Sequence, residues 1–306
     1  SHTGSSYWGN GYTLSTACLG LFFDPAYEGD GLKVQEVLRR GPFDVRNTKV
    51  KAGDIIEAID GEKIEAGKDY NAMLDGKVGR PVRVMLKGGR EVVVKPISSG
   101  EQSKLLYRRW VDRNKAMVDK WSNGQIAYVH VKAMDSESFR TVFSELLSDS
   151  NRQKKAVIVD ERHNGGGWLH DDLCTLLSGR QYQSFVPRGQ FIGWDPWNKW
   201  VKPSCVLVCE DDYSNGHGFP YVYQKLGIGP VIGAPVAGTM TAVWWETMLD
   251  GQTVFGIPQV GCLGMDGKYG ENQTLIPDIT VYNTPEQQLS GDDQQLRRAV
   301  EEMLKK

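Results

Sequence analysis

Two short runs limit what this chain can fold into more than anything else in it. Ala156-Val157-Ile158-Val159-Asp160 and Cys205-Val206-Leu207-Val208-Cys209 are apolar with almost no alternation, the pattern of strands buried on both faces. Each gives way to polar, glycine-bearing sequence and then to a helical stretch. Strands of this kind need helices on both sides of their sheet. The neighbouring sequence supplies them: a strand over 126–131, a helix over 136–147, further strands near Val231-Ile232 and Thr253-Val254-Phe255, and a closing helix over 293–304. The alternation predicts an α/β domain.

The segment after the second run, Glu210-Asp211-Asp212-Tyr213-Ser214-Asn215-Gly216-His217-Gly218, reads as a sharp turn into a helix over 219–226 that Gly227 and Gly229 stop. A serine at such a turn sits at an exposed strand end, beside helix amides able to meet a developing oxyanion. It fits a nucleophile, and the plainer reading is a helix cap. The G-x-S-x-G elbow is absent. Asn164-Gly165-Gly166-Gly167 follows the first run in the same way. Three glycines let backbone amides approach a ligand, so a phosphate loop, an oxyanion hole and a plain tight turn all stay open. Neither nucleotide fingerprint, G-x-x-x-x-G-K-[ST] or G-x-G-x-x-G, is present in its frame.

The 306 residues are enough for two domains. A formal net charge of −2 carries no basic footprint for nucleic acid. No apolar run reaches the length of a membrane span. The chain opens on Ser1-His2-Thr3 without a methionine and so reads as a fragment, which leaves its compartment open. The five cysteines lie in mostly apolar contexts and read as small core residues; Cys205 and Cys209 have no histidine near them in sequence, and no metal or cofactor is expected. Residues 1–10 are polar and too few to fold alone, so they must lean on something else, and His2 reads by default as solvated.

Between residues 12 and 97 the character changes to short alternating runs punctuated at Gly29-Asp30-Gly31, Asp60-Gly61 and Gly88-Gly89, with one helix-like piece over 69–74. The phrase Val50-Lys51-Ala52-Gly53-Asp54-Ile55-Ile56-Glu57-Ala58-Ile59-Asp60-Gly61-Glu62 resembles a PDZ domain. That resemblance makes Leu19, Gly20 and Leu21 the carboxylate-binding loop of a peptide groove. A module that only packs and positions is the other reading. A linking helix is expected over 101–121.

A wider resemblance spans nearly the whole chain. Asp160-Glu161-Arg162-His163-Asn164-Gly165-Gly166-Gly167, then Ser214 with Phe219-Pro220, Lys225-Leu226-Gly227-Ile228-Gly229 and Ile232-Gly233 resemble the tail-specific serine proteases of family S41, which have a crotonase-like (ClpP/crotonase) α/β core. Ser1-His2 ahead of the PDZ-like segment, Gly270-Glu271-Asn272 with Pro277-Asp278, and Leu289-Ser290-Gly291-Asp292-Asp293-Gln294 are similar to the tricorn-type branch. The resemblance implies Ser214 as nucleophile, His2 as general base, Glu271 acting through Ser1 to orient it, and the amides of Gly167 and Asn215 as oxyanion hole. Asn215 departs from the aspartate of an archaeal member of that branch. The Ser–Lys arrangement of the processing branch does not fit, because no lysine lies between Lys225 and Lys268. His217 is a rival base. His163 and His170 read as structural or cleft-lining and His130 as a strand residue. Trp194, Trp197, Trp200, Trp244 and Trp245 read as packing rather than as a substrate cleft.

The expectation is therefore an N-terminal catalytic segment over 1–10, a PDZ-like β-rich domain over 11–97 inserted ahead of the core, and a crotonase-like core over 98–306. The expected activity is peptide-bond hydrolysis without a cofactor, on a peptide or unfolded protein. A catalytically silent peptide-binding protein and an acyl-CoA-handling crotonase are the alternatives. The resemblance also implies a homo-oligomer, propeller-like domains upstream, and a compartment that is either extracytoplasmic or cytoplasmic. An archaeal member carries an acidic residue where Ser184 and Phe185 fall here. These two are expected to line a specificity pocket that prefers apolar or small side chains to Lys and Arg.

Overall fold

The computed structural model describes residues 2–9 and 15–306, which form two compact units: residues 2–9 with 114–306, and residues 15–113. Strand β1 (Gly4–Tyr7) belongs to the first unit.

The unit of residues 15–113 is an antiparallel sheet. Strands β2 (Leu21–Phe23), β3 (Leu32–Val37), β4 (Ile55–Ile59), β6 (Val82–Leu86) and β7 (Arg90–Val94) pair in that order, and the short β5 (Glu62–Lys63) pairs with β4. Alternation explains the placement: Val82, Val84 and Leu86 are buried while Arg83 is exposed, and the inward set joins Leu19, Leu21, Val34, Ile56 and Ile59 in one core. Leu19 and Leu21 therefore point into the core. Between them Gly20 holds φ +66°, and a Cβ there would lie 2.8 Å from Pro42. The helix-like piece near 70 is a single 3-10 turn over Asn71–Leu74. Helix α1 (Ser99–Trp121) leads out of this unit into the other.

The second unit is built on a parallel sheet in the order β16 (Ile279–Thr280), β13 (Val231–Gly233), β12 (Ser204–Val208), β9 (Ala156–Asp160) and β8 (Ile126–His130). The three strands β8, β9 and β12 are buried along their whole length, as their unalternating sequence requires. One side of the sheet (Val129, Val157, Val159, Val206, Val208) packs with α2 (Ser136–Leu146), α4 (His170–Leu177) and α5 (Asn215–Lys225). The alternate residues face α7 (Gln294–Leu304), which buries Leu296, Ala299, Val300 and Met303 against β9, β12 and β13. The short helices α3 (Asp149–Arg152) and α6 (Pro285–Ser290) lie between larger elements. A hairpin of β10 (Gln183–Phe185) and β11 (Gly193–Asp195) stands apart, and β1, β15 (Thr253–Gly261) and β14 (Thr241–Thr247) form a third sheet in that order.

One departure from the sequence pattern matters for the site. Helix α5 starts at Asn215, not near Phe219. Glycines at 216 and 218 disfavour a helix intrinsically, but here they are required by space. A Cβ on Gly216 would stand 2.8 Å from the Asn164 carbonyl oxygen, and one on Gly218 2.5 Å from Met240 Sδ.

On the α7 side lies a buried ionic network. The Arg162 guanidinium bonds Asp160 through Nε (2.9 Å) and Nη2 (2.7 Å), and reaches Asp293, the N-cap of α7, through Nη1 (2.8 Å). Tyr128 donates its hydroxyl to Asp160 at 2.8 Å. Burial alone drives the Asp160 carboxyl up, and the charge and hydrogen bonds of Arg162 bring it below its ordinary value. Removing one partner of such a pair strands a buried charge. Arg162→Met is therefore expected to cost about 3–5 kcal/mol of stability. Urea denaturation checks it, and a loss under about 1 kcal/mol would show that the network is not needed to hold α7 on the sheet.

Candidate active site

The exits of β9 and β12 lie side by side at one end of the parallel sheet, and the two turns singled out above leave from them. Asn164 joins them. Its side-chain Nδ2 donates to the Val131 carbonyl (2.8 Å) and its Oδ1 accepts from the Gly166 amide (2.8 Å). Its own amide donates to Asp212 Oδ1 (3.1 Å), and its carbonyl accepts from the Tyr213 amide (2.9 Å). Asp212 also accepts from the Cys209 amide (2.8 Å). It is 2% exposed, and burial pushes its carboxyl up to about 8. Beside it Glu161 is fully buried, and neither carboxylate oxygen has a hydrogen-bond partner among the described residues. Burial first, then Asp212 and Asp160, hold its carboxyl well above the ordinary range.

Ser214 is the N-cap residue of α5, at φ 58° and ψ −118°. A non-glycine residue at positive φ stores strain that the surroundings must hold. The holding contacts are a hydrogen bond from the Ser214 amide to Thr239 Oγ1 (2.8 Å) and bonds from the His217 and Gly218 amides to the Ser214 carbonyl (2.9 and 3.2 Å). The hydroxyl makes no capping bond, so the cap reading describes where the residue sits and not what its side chain does.

Gly166 (φ +95°) and Gly167 (φ +133°) hold backbone that other residues rarely adopt. A Cβ on Gly166 would lie 2.5 Å from Ser214 Cβ, and one on Gly167 2.2 Å from the Met134 carbonyl oxygen. Among the described residues neither the Gly167 nor the Asn215 amide donates to another protein group. The Asn215 side chain is engaged instead: its Oδ1 accepts from the Leu169 and His170 amides (2.8 and 3.0 Å), and its Nδ2 donates to His170 Nδ1 (2.9 Å). That clamp ties the start of α4 to the start of α5, and an aspartate has no donor for its last bond.

A cavity of about 420 Å³ lies over Ser214. His2, Gly165, Gly167, Tyr213, Asn215 and Met240 line it, with Trp168, Val243 and Trp245 as its large apolar walls. His2 arrives there because β1 pairs antiparallel with β15, Gly4 opposite Gly256. Far from solvated, His2 is 9% exposed, with its ring 4.6 Å from that of Tyr213 and neither ring nitrogen hydrogen-bonded among the described residues. Burial lowers its pKa, while the Glu271 carboxylate pulls the other way. Glu271 Oε2 accepts from the Thr241 amide at 3.2 Å.

The remaining candidates fall elsewhere. Ser1 lies outside the described residues. His217 is 1% exposed, stacks on Tyr221 with ring centroids 6.2 Å apart, and does not line the cavity. Its ring faces the Gln273 backbone without closing a hydrogen bond, and burial lowers its pKa. Ser184 and Phe185 lie exposed on β10, and neither lines the cavity; a loop matched by sequence position alone can pair its residues with the wrong walls. Trp200 is core as expected, whereas Trp245 belongs to the cavity. Cys209, which sequence left without a histidine neighbour, has His163 Nδ1 at 3.8 Å once β9 and β12 pair.

Comparison with known proteins places these features in context. The profile of Peptidase family S41 matches residues 125–281, and that of the Tricorn protease PDZ domain matches residues 25–99. The chain is 28% identical over 257 residues to the tricorn protease of Thermoplasma acidophilum, covering 82% of this chain and 24% of that protein. It is 29% identical over 269 residues to tricorn protease homolog 1 of Streptomyces coelicolor, covering 85% of this chain and 25% of that one. The chain thus spans about a quarter of the length of these relatives. The crystal structure of the tricorn protease superposes over 100% of this chain and 31% of its own, with a TM-score of 0.86 at 24% identity, which establishes a shared fold.

The close approach of Gly166 to Ser214 yields a paired expectation. Gly166→Ala is expected to cost about 1–3 kcal/mol, from overlap and from the disfavoured φ. Gly165→Ala meets nothing within 4 Å and should stay within about 0.5 kcal/mol. Urea titration of both checks it, and equal stability would refute the packing of Gly166 on the serine turn.

Proposed function

This chain belongs to peptidase family S41, and on that footing we propose that it is a serine peptidase whose acyl-enzyme forms on Ser214 Oγ. The observation that carries the reading is the Ser214 turn: a strained backbone, a hydroxyl not used as a cap, and a cavity shared with His2. The parallel-sheet unit is read as a crotonase-like core, with the 15–113 unit as a PDZ-like module that offers the edge strand β2 to a peptide or unfolded chain. A homo-oligomer belongs to the same proposal.

In this mechanism Oγ attacks the scissile carbonyl carbon while the neutral His2 imidazole takes its proton. Negative charge on the carbonyl oxygen is met by the Gly167 and Asn215 amides, the latter at the positive end of α5. Collapse breaks the C–N bond, and the His2 proton goes to the leaving amine. Water, deprotonated by His2, then releases the acyl group. Glu271, with Ser1 as intermediary, orients the imidazole and offsets its charge when protonated. A base must be neutral to act. Burial lowers the His2 pKa, so the acid limb of kcat/KM belongs below the ordinary imidazole value of 6.5. Glu271→Gln removes the raising influence and should move that limb lower still.

Ser214→Ala should abolish labelling by a fluorophosphonate probe with the fold intact, and equal labelling of both proteins sinks the assignment. His2→Ala should lose on the order of 10³-fold in kcat, against less than about tenfold for His217→Gln. A reversal would make His217 the base.

The cavity walls, Trp168, Met240, Ala242, Val243 and Trp245, include no carboxylate. A cationic side chain would be desolvated there without a countercharge, whereas an apolar one gains roughly 1.5–3 kcal/mol by burial. Cleavage of a mixed peptide library should therefore favour apolar or small residues at the cleaved position. Dominant cuts after Lys or Arg would refute it.

A further inference from the structure

We propose that His163, Cys209 and Asp211 form a binding site for one thiophilic divalent cation, with Zn²⁺ as its natural fit. The inference stands independently of the peptidase reading. Cys209 Sγ lies 2.7 Å from Asp211 Oδ1, and His163 Nδ1 lies 3.0 Å from Asp211 Oδ2 and 3.8 Å from Sγ. All three potential ligand atoms fall within 4.8 Å of one another. Tetrahedral zinc, with bonds near 2.3 Å to sulfur and 2.0 Å to nitrogen, holds those two atoms about 3.5 Å apart. The nitrogen–sulfur separation is already close to that. The carboxylate oxygen, now 2.7 Å from the sulfur, must swing back by about 0.8 Å to reach the tetrahedral spacing, a shift within one rotamer well, and the Asp211 side chain has room to do so because it is 66% exposed.

The donor set selects the metal. A thiolate, an imidazole and one carboxylate suit Zn²⁺ and do not suit Mg²⁺ or Ca²⁺, which take oxygen cages. Three protein ligands leave a fourth position, and His163 and Asp211 both face solvent there, so water completes the shell. The sulfur is held from behind. The Cys209 amide is fixed by Asp212, and the His163 amide donates to Sγ at 3.2 Å, the kind of outer hydrogen bond that orients a thiolate ligand. The same residues are poorly built as a cysteine nucleophile, because Cys209 is only 4% exposed. Binding exchanges the thiol proton for the metal: Cys209–SH and aqueous Zn²⁺ give Cys209–S–Zn and a proton released to solvent, so affinity rises with pH. His163 follows β9 and the other two ligands follow β12. The cation would add a bond between the two strand exits, three residues ahead of Ser214.

The test uses the full chain, stripped with chelator and kept reduced. Calorimetric titration with ZnCl₂ should show one equivalent bound, with the thermal midpoint rising with zinc concentration. Co²⁺ in its place should show a thiolate-to-cobalt charge-transfer band. Cys209→Ser should remove that band, and His163→Asn and Asp211→Asn should each weaken zinc binding by on the order of 10–100-fold. Asn is chosen at 163 because that residue holds φ +69°, which Asn tolerates. Cys18→Ser, in the other unit, should leave binding unchanged. A band that survives Cys209→Ser, or zinc affinity unchanged in both Asn variants, overturns the site. The two Asn variants decide the matter even if Cys209→Ser does not fold.

Discussion

The hydrogen bonds between Asn164 and the 209–213 turn are what the rest of the site depends on. A parallel sheet brings strand ends together but leaves the turns beyond them unsatisfied, since no hairpin partner takes up their amides and carbonyls. Here the buried Asn164 side chain answers two of those groups and its carbonyl takes the Tyr213 amide, while the carboxylate of Asp212 answers two more. Each bond contributes only about 0.5–1.5 kcal/mol net. Left unmade in this dry setting, the same groups would each cost more. The two turns therefore hold one relative position, and the strained Ser214 backbone is stable because that position leaves it no alternative.

The same logic accounts for the acidic groups around the turn. Asp160, Glu161 and Asp212 are close neighbours under one roof, and they cannot all be charged. Arg162 keeps Asp160 ionised, while burial leaves Glu161 and Asp212 with raised proton affinity. The charge of the network is thus directed toward α7 and away from the cavity. Among the described residues that line the cavity there is no carboxylate, lysine or arginine, and His2 is the one imidazole.

Much of this was legible in the sequence, and the reasons are specific. Strands β9 and β12 announce themselves because burial on both faces leaves no polar period, and the glycine segment after β9 because two of its residues need positive φ. The start of α5 was hidden because its glycines answer to distant atoms, the Asn164 carbonyl and Met240, which local propensity does not register. The β14–β15 hairpin was mostly hidden as well, since Trp244, Trp245, Phe255 and Ile257 are apolar yet exposed, and its alternation carries no inside and outside. The pairing of His163 with Cys209, and the failure of Ser184 and Phe185 to reach the cavity, are tertiary facts. Nothing in the spacing of those residues encodes which strand exits become neighbours.

The strand that carries His2 pairs with β15, placing Gly4 opposite Gly256, with the whole 15–113 unit intervening in the chain. Four residues of ladder must close the loop that runs from Gly4 to Gly256. Such a contact has a very high sequence separation, and its closure entropy is met only after the surfaces it joins already exist. That entropy argument makes late docking of β1 the expected order of folding. On the peptidase reading proposed above, a chain in which that ladder has not formed would hold Ser214 in its turn without His2 beside it.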